Sequence, residues 1–356
     1  MKKLIALLLT LLLLAGLAAC AKPAAEQPAP AEQTTTTEQT TTTEQAPADE
    51  TPTEEKKTVR LGLANINEKA TFGKLVKMGF EDACAARGWE LVYVDNNSDG
   101  AQAVQNAEIL VQQGVDFIVD LNIDQSVAGT IVDIVSAANI PMVCVDIAMG
   151  DTPFFGVDSD KVGRMAGEYS VNWVNENWGG EVDYIVCFTA IASGDEVQKR
   201  ARSAVEVMQN SGIKIGDTVE IEYQNDTAVA QQRFADFLTA HPDAHKIVCY
   251  GINEFAGTGA IAAGETAGRT DDFALFTCGV GSQFVEPLYE VQGNSPWKTA
   301  VAAFPELYGD QLCDIIENYF NGVPLEPLMP CKLVCVDWSN ITEYYPLDDL
   351  PWKKLS

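Results

Sequence analysis

Carboxylates that end apolar runs, amides beside them and an aromatic ring at a helix start are the side chains best placed for chemistry here. Asp146 closes the run Met142-Val143-Cys144-Val145. Asn253 and Glu254 follow Ile247-Val248-Cys249-Tyr250 and open a helical stretch, and Phe72 opens another after Thr71. Such carboxylates and amides bridge neighbouring hydroxyls, and a flat ring covers the apolar face of a small cyclic molecule. A few well-placed polar groups of this kind orient a ligand in an otherwise apolar pocket. That is the chemistry of holding a molecule, not of breaking a bond. Asp95, Asp120 and Asp146 all end apolar runs. Three carboxylates could share a divalent cation, but acids at strand ends ordinarily cap the following turn, and no metal is expected.

The motifs of catalysis are missing. A dinucleotide site wants Gly-x-Gly-x-x-Gly at a strand-to-helix turn. After the first strand the chain has Asn65-Ile66-Asn67-Glu68 instead, and Gly257-Thr258-Gly259 falls inside a helical stretch. There is no Gly-x-Ser-x-Gly elbow and no phosphate-binding P-loop. Neither His241 nor His245 has a catalytic setting, so we expect no enzyme and no cofactor. Of nine cysteines, Cys144, Cys187, Cys249 and Cys278 sit in short apolar runs and read as buried small hydrophobes. Cys331 and Cys335 read as one strand, about 13 Å apart on the same face, which is too far to bridge. The net charge of −28 opposes nucleic acid as a partner.

The elements that must position these side chains alternate regularly from Val59. Strands are expected at 59–64, 90–95, 117–121 and 142–146, with helices at 72–87, 102–113 and 127–139 between them. The rhythm repeats, with strands at 182–188, 219–223, 246–250 and 274–278. Their helices are expected at 160–177, 195–210, 228–240 and 253–268. Near-continuous apolar strands at this spacing are those of parallel sheets covered on both faces. The expected fold is α/β: two doubly wound parallel-sheet lobes joined by a three-stranded hinge, with the ligand cleft between them.

The N-terminus carries a second message. Lys2 and Lys3 precede an apolar run over Leu4–Ala19, the pattern of a secretory signal. The run ends Leu17-Ala18-Ala19-Cys20, as a lipoprotein cleavage site does, so Cys20 is the expected lipidation site. Pro, Ala, Thr, Glu and Gln dominate residues 21–57, and Glu-Gln-Thr-Thr-Thr-Thr occurs twice in tandem. Without large apolar residues this segment reads as a disordered stalk.

In order and spacing, several segments resemble the ribose- and galactose-type periplasmic binding proteins of sugar ABC transporters. They are Thr71-Phe72-Gly73 with Lys77-Met78-Gly79-Phe80, Gln113-Gly114-Val115-Asp116, Asn139-Ile140-Pro141 leading to Asp146, and Val157-Asp158 with Gly163 and Ala166-Gly167. Leu238–Asp243, matched to the second lobe's cleft strand, and Asn253-Glu254, matched to a helix start, complete the series. The resemblance implies a first lobe of 58–157 with 304–331, a second of 158–303 with 332–338, and a C-terminal tail over 339–356. It implies hinge crossings near 157–158, 303–304 and 331–333. It also implies a ligand set of Asn65, Phe72, Asp146, Gln198, Asn225, Asn253, Glu254 and Gln283, with Gln198 and Asn225 on second-lobe loops. The pattern departs where Ile147 and Gln198 replace arginines, Gly281 an aspartate and Ala303 a glutamine. A cleft short of cations points to a less hydroxylated, larger or cationic solute. The implied function is an extracytoplasmic, membrane-tethered, monomeric binding lipoprotein that passes a sugar-like solute to an ABC transporter permease. The same fold presenting its ligand to a chemotaxis or signalling partner is the alternative.

Overall fold

The computed structural model describes residues 58–355; the expected signal, Cys20 and stalk lie outside the described residues. The first half of the chain runs β1 (Arg60–Asn65), α1 (Thr71–Arg87), β2 (Glu90–Asp95), α2 (Gly100–Gln112), β3 (Phe117–Asp120), α3 (Ala128–Ala137), β4 (Met142–Val145) and β5 (Phe154–Gly156). A second series follows: α4 (Ser159–Trp178), β6 (Glu181–Thr189), α5 (Asp195–Gln209), β7 (Lys214–Glu222), α6 (Thr227–Ala240), β8 (Ile247–Gly251), α7 (Glu254–Ala267), β9 (Phe273–Cys278), α8 (Ser282–Glu290) and β10 (Trp297–Ala302). The chain returns through α9 (Tyr308–Phe320) and β11 (Leu328–Pro330), then closes with β12 (Val334–Val336) and the short α10 (Ile341–Tyr344).

Two six-stranded sheets result, ordered β11-β5-β4-β3-β1-β2 and β12-β10-β9-β8-β6-β7. Every pairing is parallel except β12 on β10. The order reverses beside β1 in one sheet and beside β6 in the other, and such reversals open a crevice at the carboxyl ends of the strands. The chain passes between the sheets after Gly156, after Ala302 and between Pro330 and Val334. The two crevices therefore face each other across three crossings.

Local chemistry explains the elements. β4, β8 and β9 are buried along their whole length, as a central parallel strand requires. The Asp158 side chain accepts from the Lys161 amide at the start of α4, and Asn253 does the same for Phe255 at the start of α7, supplying partners the first helical turn lacks. Helix α1 stops at Gly88, left-handed at φ 66°, whose amide returns to the last turn. Helices α1 and α9 touch backbone to backbone, because a Cβ at Gly309 would overlap the Gly79 carbonyl. Residues of α2 and α3 cover one face of the first sheet with their own apolar cluster. The other face shares a continuous core with the second lobe.

Some expectations change. β5 was not anticipated, and β7 begins at Lys214 rather than 219. Leu238–Ala240 ends α6, and the turn that follows lies at the opposite end of the sheet from the cleft, so it is no cleft strand. Cys331 and Cys335 do not share one strand: Cys331 lies in the third crossing and Cys335 in β12. All eight cysteines among the described residues are free thiols. Cys144, Cys187, Cys249 and Cys278 are buried, and burial pushes the Cys187 thiol up to about 12.

Candidate functional site

Asp146 sits just past β4 with φ 60°, a left-handed conformation that Asp tolerates better than most residues. Non-glycine residues held there cluster at functional sites. Its Oδ1 accepts the Val157 amide at 2.9 Å, tying β4 to the first crossing. Both oxygens accept the Tyr308 hydroxyl at 3.2 Å, tying it to the start of α9 after the second crossing. Burial raises the Asp146 carboxyl, and the nearby Arg200 guanidinium, the Val157 amide and the Tyr308 hydroxyl hold it partly down. Arg200 reaches in from α5, where its Nε donates to Ser159 Oγ at 3.3 Å. The hinge side of the cleft thus holds a carboxylate, a guanidinium and a phenol within mutual electrostatic reach.

An aromatic wall surrounds that phenol. The Phe72 ring meets Tyr308 edge-on at 6.1 Å, and Phe155 does so at 5.2 Å. Tyr308 is fully buried, whereas Phe72 keeps part of its surface exposed.

The second lobe presents a network of amides. The Tyr223 hydroxyl donates to Asn253 Oδ1 at 2.8 Å and stands 3.2 Å from Asn225 Oδ1. The Asn253 amide donates to Asn225 Oδ1 at 2.5 Å. Asn225 has φ 55° and is exposed at the loop after β7. Glu254 lies beside them, its carboxyl pushed up to about 7 by burial and partly held down by the Gly281 amide. Glu254 Oε1 is buried without a hydrogen-bond partner. Gln283, in the first turn of α8, accepts the Thr258 hydroxyl at 2.9 Å and is exposed. The rims of the two lobes approach each other: a Cβ at Gly194 would stand 3.3 Å from Gln125 Oε1 of the first lobe.

Asp146 and Phe72 come together on the hinge side, and Asn225, Asn253 and Glu254 on the second-lobe side. Two of the expected contacts are otherwise engaged. Asn65 is fully buried; its amide donates to the Gly73 carbonyl at 2.8 Å and its Oδ1 accepts the Ile66 amide. Gln198 is not on a loop but inside α5, buried, with its amide on the Ala190 and Gly194 carbonyls and its Oε1 on the Ala190 amide. These two shape the loops at the cleft mouth. The expected shortage of cations is corrected by Arg200, two residues beyond Gln198. Tyr308 and Arg200 escaped the sequence reading, since no local pattern tells an inward helix residue that it faces a hinge, and Tyr223 read as the apolar end of a strand.

Asp120 differs from its neighbours Asp95 and Asp146. Asp95 accepts the Asn97 amide at 2.7 Å, as a turn cap does. Neither oxygen of the fully buried Asp120 makes a well-formed hydrogen bond, and burial pushes its carboxyl up to about 7, with the nearby Asn96 amide holding it partly down. Among the described residues no three His, Cys, Asp or Glu gather as a metal site would require. Two shallow hollows of about 540 and 690 Å³ open away from the cleft, one beside Arg164 and Asn210, the other beside Lys214 and His241.

A family model for the periplasmic binding protein domain matches residues 61–323. The ribose import binding protein RbsB of Escherichia coli (strain K12) is 23% identical over 284 residues, 79% of this chain and 90% of that one. The xylitol-binding protein of Mycolicibacterium smegmatis is 23% identical over 214 residues, 60% of each chain. Among solved structures, a sugar ABC transporter sugar-binding protein from Bacillus halodurans matches with a TM-score of 0.68 at 16% identity, covering 80% of this chain and 100% of that one. An ABC transporter solute-binding protein from Bacillus halodurans C-125 with bound myo-inositol matches with a TM-score of 0.67 at 18% identity, covering 81% and 97%. At such identities the structural likeness shows the shared fold.

Proposed function

The chain belongs to the type 1 periplasmic binding protein family, extracytoplasmic solute-binding proteins rather than enzymes, and from that premise we propose that it captures a small sugar or polyol-like solute between its lobes. The observation that carries this reading is the constellation at the hinge. Asp146 is bonded to two of the three crossings, faces Arg200, and stands beside the part-exposed ring of Phe72. A solute hydroxyl reaching Asp146 and Arg200 would be gripped where the lobes pivot. The Asn225, Asn253 and Glu254 groups close on it from the opposite side. Ligand contact on both lobes favours the closed form, as in hinge closure of binding proteins. The closed monomer then delivers its solute to an ABC transporter permease, tethered to the membrane through lipidated Cys20.

A thermal-shift screen against sugars, polyols, nucleosides, amino acids and polyamines tests the reading. A true ligand at a hundredfold excess over its Kd stabilises the native state by about 2.7 kcal/mol. An upward shift for sugars or polyols supports the proposal, and shifts confined to other classes would sink it. For the tether, Cys20→Ala is expected to release the protein from the membrane fraction; unchanged fractionation would refute lipidation.

A further inference from the structure

Three of the buried oxygens without partners, Glu254 Oε1, Glu306 Oε2 and the Tyr345 hydroxyl, belong to residues packed around the second crossing. They come from three separate parts of the chain. Glu254 opens α7 and lays its carboxyl over Gly281, where a Cβ would stand 2.9 and 3.0 Å from its two oxygens. A side chain at 281 would push the carboxyl from this position. Glu306 lies in the tight turn Pro305–Leu307 that follows the second crossing. Tyr345 belongs to the segment after β12, beyond the last strand of the second sheet.

Packing brings the three together. The Tyr345 ring stacks on Phe304, two residues before Glu306, at 5.8 Å and 6° between planes. Phe304 is itself left-handed at φ 53°, which turns the crossing toward Glu306. The Tyr345 carbonyl accepts the Tyr289 hydroxyl at 2.9 Å, pinning it to the C-terminal end of α8. The Gly279 amide donates to the Val301 carbonyl at 2.9 Å, and a Cβ at Gly279 would stand 3.4 Å from Glu254 Cγ, so Glu254 lies beside the end of β10 that leads to Phe304. Tyr345 is 1% exposed. Burial raises its phenol, and the charges of Glu306 and Glu254 push it further up. Lys354 tempers Glu306, but no cation tempers Glu254.

Two carboxylates offer only acceptors, and the phenol can do either. What would satisfy them is a donor-rich, positively charged group. We propose that Glu254, Glu306 and Tyr345 form a subsite that takes a protonated primary amine of the solute, with the C-terminal segment supplying one wall. An ammonium brings three donors and opposes the charge of both carboxylates, and such charge-assisted bonds are about twice as strong as neutral ones. A hydroxyl brings one donor and leaves the carboxylate charge uncompensated. The proposal rests on the reading of the cleft as a solute site and names the class of solute within it.

The test is calorimetric titration of detergent-extracted full-length protein with paired probes: glucosamine against glucose, galactosamine against galactose, and 1-amino-1-deoxyglucitol against glucitol. In at least one pair the amine should bind tenfold or more tightly than its neutral parent. Glu306→Gln and Tyr345→Phe should each lower the amine's affinity several-fold more than the parent's, so that the gap between the two closes. Tyr345→Phe keeps the ring stack, so it carries the test should Glu306→Gln fail to fold. If each parent binds as well as its amine, or if the variants weaken both members equally, the subsite is overturned and the cleft reading stands. If neither member of any pair binds, both fall together.

Discussion

Replacing Glu254 by Gln sets stability against binding in a way the geometry makes quantitative. Burial raises this carboxyl from 4.5 to about 7. Below pH 4.5 it is protonated folded or unfolded, and contributes nothing to the difference. Between pH 4.5 and 7 the folded chain keeps a proton the unfolded chain has lost, so stability falls as pH rises, by about 1.4 kcal/mol per pH unit. Above pH 7 the full penalty is in place, about 3 kcal/mol from a shift of that size. Gln keeps the shape, can still accept from the Gly281 amide and cannot ionise. The variant should therefore exceed the wild type by less than about 1 kcal/mol at pH 5 and by up to about 3 kcal/mol at pH 8, the latter roughly 6 °C in Tm for a chain of this length. Solute affinity should fall in the same variant, since groups placed for function often cost stability. Thermal melts of both proteins from pH 5 to 8.5 read the difference directly. A variant less stable than wild type at pH 8, or a gap that does not widen with pH, would refute the reasoning.

Asp120→Asn should remove a second falling slope in the same direction between pH 4 and 7, because burial lifts that carboxyl from 3.8 to about 7; a pH-stability profile identical to wild type would contradict the burial argument. Tyr308→Phe keeps the aromatic contacts but strips Asp146 of a hydroxyl donor, and should cost about 1–3 kcal/mol in denaturant melts; a loss under 0.5 kcal/mol would show the bond idle. Gly309→Ala drives a methyl into the Gly79 carbonyl and should destabilise by about 1–3 kcal/mol. Gly129→Ala, in a helix with open space around it, should stabilise by up to about 1 kcal/mol. The two alanines must shift the melting point in opposite directions for the helix-contact account to hold.

Where the sequence could be read, it was because burial leaves a linear trace. The parallel strands β4, β8 and β9 are unbroken apolar runs because helices cover both of their faces. The edge strand β7 is half polar, since much of it faces water, so its first residues carried no such run. β5 is three residues after a proline, too short for periodicity to show. Asp146 and Asn253 were visible because each lies within two residues of a strand end. Arg200 was not, because a helix residue reaches the hinge only through tertiary packing. Asn65 and Gln198 had suitable polarity, but burial and backbone partners are properties of the fold that residue type does not carry.

In the proposed complex a solute sits between the lobes, held by Asp146 and Arg200 on one side and by Asn253 and Glu254 on the other. A crystal structure with the solute found by the thermal screen tests it most directly. The account predicts the solute within hydrogen-bonding distance of Asp146 and of at least one of Asn253 and Glu254, with its ring against Phe72. A solute bound instead in the outer hollows beside Arg164 or His241, with the cleft unchanged, would contradict it.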